Sequence, residues 1–215
     1  MARAGVRDVV FDLGGVLVDW DPRYLFRDHL AGDPGEVDAF LAQVCTPEWH
    51  ARLDGGASFD RETRALAERF PGHAHWILRY GREWERMFAG VFDESVACLE
   101  SLAERGYRLH ALSNYPAEHV RFLYRRFPFM CRFETVVLSG LVGLSKPDER
   151  IYRYVLERIG RRPCVFVDDR PENVAAALSA GMRAIEFDRR DGIAKLLASL
   201  GEDAGPSVEI GDSFA

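Results

Sequence analysis

Lysine is nearly missing from this 215-residue chain, standing only at positions 146 and 195, so almost all of its positive charge is arginine spread through every segment. Basic residues number 28 against 34 acidic ones, a formal net charge of −6. A net acidic chain without a basic stripe is a poor match for a phosphate backbone. Small molecules, not nucleic acid, are the expected partners. Cysteine is scarce too: Cys45, Cys98, Cys131 and Cys164 show no C-x-x-C pairing and no metal-ligand spacing. That excludes a disulfide scaffold and a thiolate metal centre, and the four read as reduced thiols of the core. No apolar run approaches the ~20 residues of a membrane helix, and the one near the N-terminus is too short for a signal-peptide core and is broken by Asp8 and Asp12. A cytoplasmic protein, monomer or homodimer, with no membrane partner is the expectation. With 47% hydrophobic and 29% charged residues and no internal repeat, collagenous and largely disordered classes are excluded.

What the chain does have is five short apolar runs rich in β-branched or aromatic residues, at 9–13, 109–112, 135–138, 164–167 and 184–187. Near-continuous apolar runs mark strands covered on both faces. Helical patterns of crossover length follow at 94–104, 117–127, 149–159 and 171–180, with Pro171 suited to a first helical turn and Gly181 to a C-terminal cap. The spacing predicts an α/β fold, an open parallel five-stranded Rossmann-like sheet with helices on both faces. Residues 20–90 are too many for one crossover. They read as helices at 22–30, 36–44, 59–70 and 75–88, broken at Gly32-Asp33-Pro34, Asp54-Gly55-Gly56 and Pro71-Gly72. The expected organisation is a catalytic core from 1–19 and 91–200, a small helical cap at 20–90 and a loose tail at 201–215.

In open parallel sheets the ligand crevice lies beyond the carboxyl ends of the strands. The residues that follow the runs are Asp12-Leu13-Gly14-Gly15, Ser113-Asn114, the loop 139–145 leading into Lys146-Pro147, and Asp168-Asp169. One crevice would then collect three carboxylates, a hydroxyl, an amide and an ammonium. Carboxylates from two strands repel unless a cation lies between them, and an all-oxygen set beside phosphate favours Mg²⁺. A carboxylate nucleophile held by Lys146 and a hard dication describes phosphoryl transfer through an aspartyl-phosphate. Taken singly, an Asp or Ser after a strand is usually a helix N-cap and a Lys usually solvated. Four matching strand ends in order argue for the chemistry.

The segments Phe11-Asp12-Leu13-Gly14-Gly15-Val16-Leu17, Leu112-Ser113-Asn114, Lys146-Pro147-Asp148-Glu149 and Val167-Asp168-Asp169-Arg170-Pro171-Glu172-Asn173 resemble the four ordered motifs of the haloacid dehalogenase-like hydrolase superfamily. The place of the insertion is similar to its helical-cap branch, subfamily I, and Asp19-Trp20-Asp21-Pro22 with Trp49-His50 resembles members that include sugar-1-phosphate phosphatases. The resemblance implies Asp12 as nucleophile and a metal site of Asp12, the Gly14 carbonyl, Asp169, and Asp168 directly or through water. Ser113 and Lys146 would hold the transferred group together with Asn114. Asn173 would orient Lys146 or the motif loop at the edge of the substrate site, and Trp49 and His50 would reach the substrate from the cap. The implied activity is Mg²⁺-dependent hydrolysis of a small phosphate ester.

One departure stands out. Phosphatases of this superfamily carry a second Asp two residues after the nucleophile as general acid, and this chain has Gly14 there. Acid catalysis is typically worth about 10²- to 10⁴-fold. Either the substrate has a good leaving group, such as an anomeric hydroxyl, or a cap residue supplies the proton, His50 being the first candidate, or the leaving group is a halide that needs none. The alternatives to a phosphatase are therefore a 2-haloacid dehalogenase, which needs no metal and would tend to lack the acids kept at 168 and 169, and a catalytically weak metabolite-binding protein.

Overall fold

A computed structural model describes residues 6–26 and 34–201. Its strands are β1 (Asp8–Phe11), β2 (Val18–Trp20), β3 (Phe88–Val91), β4 (Arg108–Ser113), β5 (Phe133–Leu138), β6 (Cys164–Asp168) and β7 (Arg183–Glu186). Five of them form one sheet in the order β5-β4-β1-β6-β7, every neighbouring pair parallel. The pleat divides the apolar runs between two cores. Val9, Phe11, Leu109, Ala111, Val165 and Val167 face one side, with Leu99, Leu102 and Leu196 of the helices Asp93–Glu104 and Gly192–Leu200. Val10, Leu112, Val137 and Phe166 face the other, with Ile151, Tyr152, Val155 and Ala177 of the helices Glu149–Arg158 and Pro171–Ser179. The open α/β sheet with helices on both faces is the fold that the sequence predicts.

Between β2 and β3, which pair antiparallel as a separate two-stranded ribbon, lie the helices Arg23–Phe26, Pro34–Gln43, Pro47–Asp54, Phe59–Arg69 and Ala74–Arg82. The buried side chains of this insertion, Trp49, Leu53, Phe59, Ile77, Tyr80 and Trp84 among them, are continuous with one face of the sheet. Three contacts tie this insertion down: Ser139 Oγ donates to the Asp54 carbonyl at 2.6 Å, Phe59 N–H donates to Glu118 Oε1 at 3.3 Å, and Trp84 stacks on His119 at 4.3 Å between ring centroids.

Several local expectations change. The helix expected over 75–88 ends at Arg82, and a 3₁₀ turn, Trp84–Met87, leads into β3. An additional helix, Pro47–Asp54, starts with the Thr46 hydroxyl accepting from Trp49 N–H at 3.2 Å and proline in its first turn. Cys45 and Cys164 are buried and Cys98 half-buried, but Cys131 is exposed and is not a core thiol. The end of the helix expected over 22–30, the break at Gly32-Asp33 and the tail beyond 201 lie outside the described residues. Among the described residues no helix is long and apolar enough to cross a membrane.

Candidate active site

The register of β1 aligns Phe11 with Ala111 on one side and Val167 on the other, so the residues just beyond these positions emerge side by side. Asp12 N–H donates to the Val167 carbonyl at 2.9 Å, bringing the Asp12 side chain level with Asp168. The chain after Asp12 folds back at once: Leu17 and Val18 both donate to the Leu13 carbonyl at 2.8 Å. Gly15 has φ +76°, and a Cβ at that position would lie 2.1 Å from Asp169 Oδ2. Only glycine leaves room for the Asp169 carboxylate. Gly14 lies outside the left-handed region, and a Cβ on it would have no atom within 4 Å.

Lys146 is buried, and its ammonium bridges the two strand ends: Nζ lies 2.8 Å from Asp12 Oδ1 and 2.6 Å from Asp168 Oδ2. The side chain of Asn114 holds this lysine from behind. Its Nδ2 donates to the Lys146 carbonyl at 2.9 Å and its Oδ1 accepts from Lys146 N–H at 2.8 Å. Asp168 is fully buried and saturated with donors: Oδ1 accepts from Asn173 Nδ2 and Arg170 N–H, both at 2.9 Å, and Oδ2 accepts from Lys146 with a further 3.1 Å contact from Asn173. Asp12 Oδ1 is likewise pinned, by Leu13 N–H at 2.7 Å and by Lys146. Among the described residues no donor meets Asp12 Oδ2.

Burial pushes the Asp12 carboxyl up to about 7; the Lys146 charge works against that, and the charges of Asp168 and Asp169 add to it. Burial also raises Asp169, with the Asp168 charge adding to it. Burial lowers the Lys146 ammonium, but the two carboxylates it touches outweigh that and hold it above its ordinary value. Three crowded carboxylates against one ammonium leave an excess of negative charge that a cation would relieve.

One oxygen each from Asp12, Asp168 and Asp169 lies within 4.8 Å of the others. The donor set is all oxygen, which suits a hard dication such as Mg²⁺, and the space above Gly15 that Asp169 fills is part of the same cradle. The residues fit the ion. Asp168 already accepts four contacts, so Asp12 and Asp169 are the carboxylates with oxygens to offer.

The structure thus brings together Asp12, Lys146, Asp168 and Asp169, and places Ser113 at the buried end of β4, the strand beside β1. Other expected contacts have different surroundings. Asn114 uses its amide on the Lys146 backbone, so it positions the lysine instead of reaching substrate. Asn173 orients Asp168 of the fourth motif, the second of its two expected roles, and among the described residues makes no bond to Lys146. Trp49 is buried edge-on against Tyr80, centroids 5.3 Å apart, inside the insertion, because its helix turns that face to the apolar core. His50 has both ring nitrogens occupied: Nδ1 lies 2.8 Å from Tyr80 Oη and Nε2 3.5 Å from Asp54 Oδ1. Burial lowers its pKa below the ordinary 6.5. Sequence reasoning gave no role to Tyr80, Asp54 or Ser139. Asp54 entered it only as part of the helix break Asp54-Gly55-Gly56.

A family model described as haloacid dehalogenase-like hydrolase matches residues 6–181. Phosphatase MT3486 of Mycobacterium tuberculosis is 33% identical over 217 residues, covering 92% of this chain and 98% of that protein. Drimenol cyclase of Aspergillus calidoustus is 28% identical over 200 residues, 91% of this chain but 36% of the cyclase. Flavin mononucleotide hydrolase 1 of Arabidopsis thaliana is 33% identical over 122 residues, 56% of this chain and 49% of the hydrolase. The chain therefore spans about a third to a half of the length of these last two relatives. Among solved structures, a family enzyme of Bacteroides thetaiotaomicron in complex with magnesium and inorganic phosphate superposes with TM-score 0.66 at 19% identity, over 86% of this chain and 95% of that one. A dehalogenase superposes with TM-score 0.70 at 18% identity, over 94% and 100%. At these identities the two structures share the fold.

Proposed function

Because this chain belongs to the haloacid dehalogenase-like hydrolase family, we propose that it is a phosphatase of small phosphate esters, favouring sugar 1-phosphates, that works through an aspartyl-phosphate on Asp12 with Mg²⁺. The observation that carries this reading is the buried Lys146 ammonium between Asp12 and Asp168, with Asp169 completing the acidic cluster. Displacing a halide needs no metal and gains nothing from these extra acids.

Asp12 Oδ1 is held by Leu13 N–H and Lys146, which restrains the carboxylate and leaves Oδ2 as the oxygen available for attack. Oδ2 attacks phosphorus as the bond to the leaving oxygen breaks, and that oxygen takes up a proton. Water then attacks the phosphorus, the bond to Asp12 breaks, and inorganic phosphate departs from the restored carboxylate. Lys146 and the Ser113 hydroxyl donate to phosphoryl oxygens whose charge grows in the transition state. Asp12 and Asp169, with the Gly14 carbonyl and with Asp168 beside them, would hold Mg²⁺, and the bound ion would supply positive charge against those oxygens. Gly14 donates no proton, which favours a leaving group as good as an anomeric hydroxyl. The 33% identical mycobacterial phosphatase, matched over nearly its whole length, supports the same reading.

Gly14 is also the observation that favours a second reading, a 2-haloacid dehalogenase, because halide leaves without a proton. One assay separates the two: glucose 1-phosphate and 2-chloropropionate are offered with Mg²⁺ or with excess EDTA, and phosphate and chloride are both measured. Phosphate release that requires Mg²⁺ is expected. Chloride release in EDTA overturns the phosphatase, and phosphate binding without turnover of either substrate leaves a metabolite-binding protein.

A further inference from the structure

We propose that Asp54, carried on the helical insertion, donates the proton to the leaving group that Gly14 cannot supply. The inference rests on the phosphatase reading above. Asp54 is the last residue of the helix Pro47–Asp54 and stands where the insertion meets the end of β5. Its carbonyl accepts from the hydroxyl of Ser139, the residue that follows β5, and Ser139 Oγ in turn accepts from Tyr115 N–H at 2.9 Å. Two residues on, Gly56 has φ +96° and its Cβ position lies 3.0 Å from the Gly140 carbonyl oxygen, so the turn sits directly on the loop that leads to Lys146. The Asp54 side chain is only 14% exposed, and it lies near enough to Lys146 and Arg170 for both charges to act on it.

The groups around Asp54 are set for a neutral carboxylic acid. Tyr80 is buried and its hydroxyl proton needs an acceptor, which His50 Nδ1 provides at 2.8 Å. That assignment places the imidazole proton on Nε2, facing Asp54 Oδ1 at 3.5 Å. Burial raises the Asp54 carboxyl, against the opposing charges of His50, Lys146 and Arg170, and burial lowers His50, against the charge of Asp54. With Oδ1 turned to the imidazole N–H, the acid proton resides on the other oxygen. That proton passes to the leaving oxygen as the phosphorus–oxygen bond breaks. The resulting carboxylate faces the imidazole N–H and the charges of Lys146 and Arg170. It then takes a proton from the water that attacks the aspartyl-phosphate, so the cycle closes with alcohol and phosphate as products and Asp54 protonated again. His50 and Tyr80 are positioning residues in this scheme.

The test is Asp54→Asn across leaving groups, with Mg²⁺ saturating. Turnover of a primary-alcohol phosphate, glucose 6-phosphate, is expected to fall about 10²-fold or more. Turnover of 4-nitrophenyl phosphate, whose leaving group needs no proton, should stay within about threefold, and the melting temperature and vanadate affinity should hold. Gly14→Asp in the Asp54→Asn background should restore much of the alcohol-phosphate rate, since a side chain at 14 meets no atom within 4 Å. An equal loss on both substrates, or no loss on glucose 6-phosphate, overturns the role of Asp54 and leaves the phosphatase intact. A wild type that releases phosphate from neither of these nor from glucose 1-phosphate overturns the phosphatase reading itself. Should Asp54→Asn not fold, Gly14→Asp alone decides: a gain on glucose 6-phosphate under about threefold is expected, and a gain of about tenfold or more shows that no acid was in place.

Discussion

Adjacent glycines at 14 and 15 should respond in opposite ways to the same added methyl group. At Gly15 the backbone has φ +76°, and a Cβ would come within 2.1 Å of Asp169 Oδ2 and 2.5 Å of its Cγ. Van der Waals contact requires the carboxylate to withdraw by more than about an ångström, and the left-handed backbone costs a residue with a Cβ about 1–2 kcal/mol. Gly15→Ala should therefore lower the melting temperature by about 2–8 °C for a domain of this size. Its larger effect should be on metal, because the displaced group is one of the two carboxylates with oxygens to offer: the Mg²⁺ concentration for half-maximal phosphate release should rise about 10- to 100-fold, the range seen when a ligand loses its support. Gly14→Ala meets no atom within 4 Å and needs no special φ, so melting should shift by no more than about 2 °C and the Mg²⁺ requirement should hold. Thermal melts with and without Mg²⁺, together with Mg²⁺ titrations of activity on both variants, measure all four quantities. A Gly15→Ala enzyme with the wild-type Mg²⁺ requirement, or a Gly14→Ala enzyme as impaired as Gly15→Ala, refutes the reasoning.

Asp12→Asn should abolish turnover with the fold intact, and residual activity above a few per cent in a preparation free of deamidation would remove Asp12 as nucleophile. Lys146→Met leaves Asp12 and Asp168 buried without their shared cation; a loss of about 3–5 kcal/mol in denaturant unfolding at neutral pH is expected, along with weaker vanadate binding. Asp169→Ala should raise the Mg²⁺ requirement by orders of magnitude, and full activity in excess EDTA would contradict the metal site. At the opposite end of the sheet, burial lowers the His110 pKa below 6.5, against the hydrogen bond to Asp8 at 3.1 Å. The unfolded chain then binds the extra proton, so this contribution to stability is complete above about pH 6.5 and is lost as pH falls through the folded-state pKa. Between about pH 6.5 and 5 the lowered histidines His110, His50 and His119 reduce stability as pH falls, whereas the raised carboxyls of Asp12, Asp54 and Asp169 act in the opposite direction. His110→Gln should therefore shift the melting temperature upward relative to wild type on going from about pH 6.5 to 5; an unchanged difference between the two proteins across that range would show that His110 does not contribute.

How far the sequence carries depends on whether a contact is set by strand register or by the meeting of separate elements. The apolar runs of β1 and β6 are legible because a strand covered on both faces has no polar side, and their parallel register carries Asp12 and Asp168 to one level without further information. Asn114 and Asn173 are legible as residue types in ordered motifs, but what they grip depends on loop paths: Asn114 closes on the Lys146 backbone and Asn173 on Asp168. Cys131 shows the same limit on a small scale, since it lies in the 3₁₀ turn Pro128–Arg132 next to buried Met130 yet faces outward.

The insertion is where legibility ends. Its helices show amphipathic spacing, which says that one face is buried but not against what. Trp49 and His50 are neighbours in sequence, yet one packs in the apolar interior and the other links Tyr80 to Asp54, a contact across 30 residues that no periodicity encodes. The missing acid beside Asp12 is visible in the sequence as Gly14, whereas its replacement becomes visible only once the Ser139 hydroxyl fixes where Asp54 stands. A proton donor on the insertion and a nucleophile on the sheet meet only when the two are docked. Leaving-group protonation by Asp54 then depends on that docking, and a leaving group that needs no proton is the one least affected when the docking is disturbed.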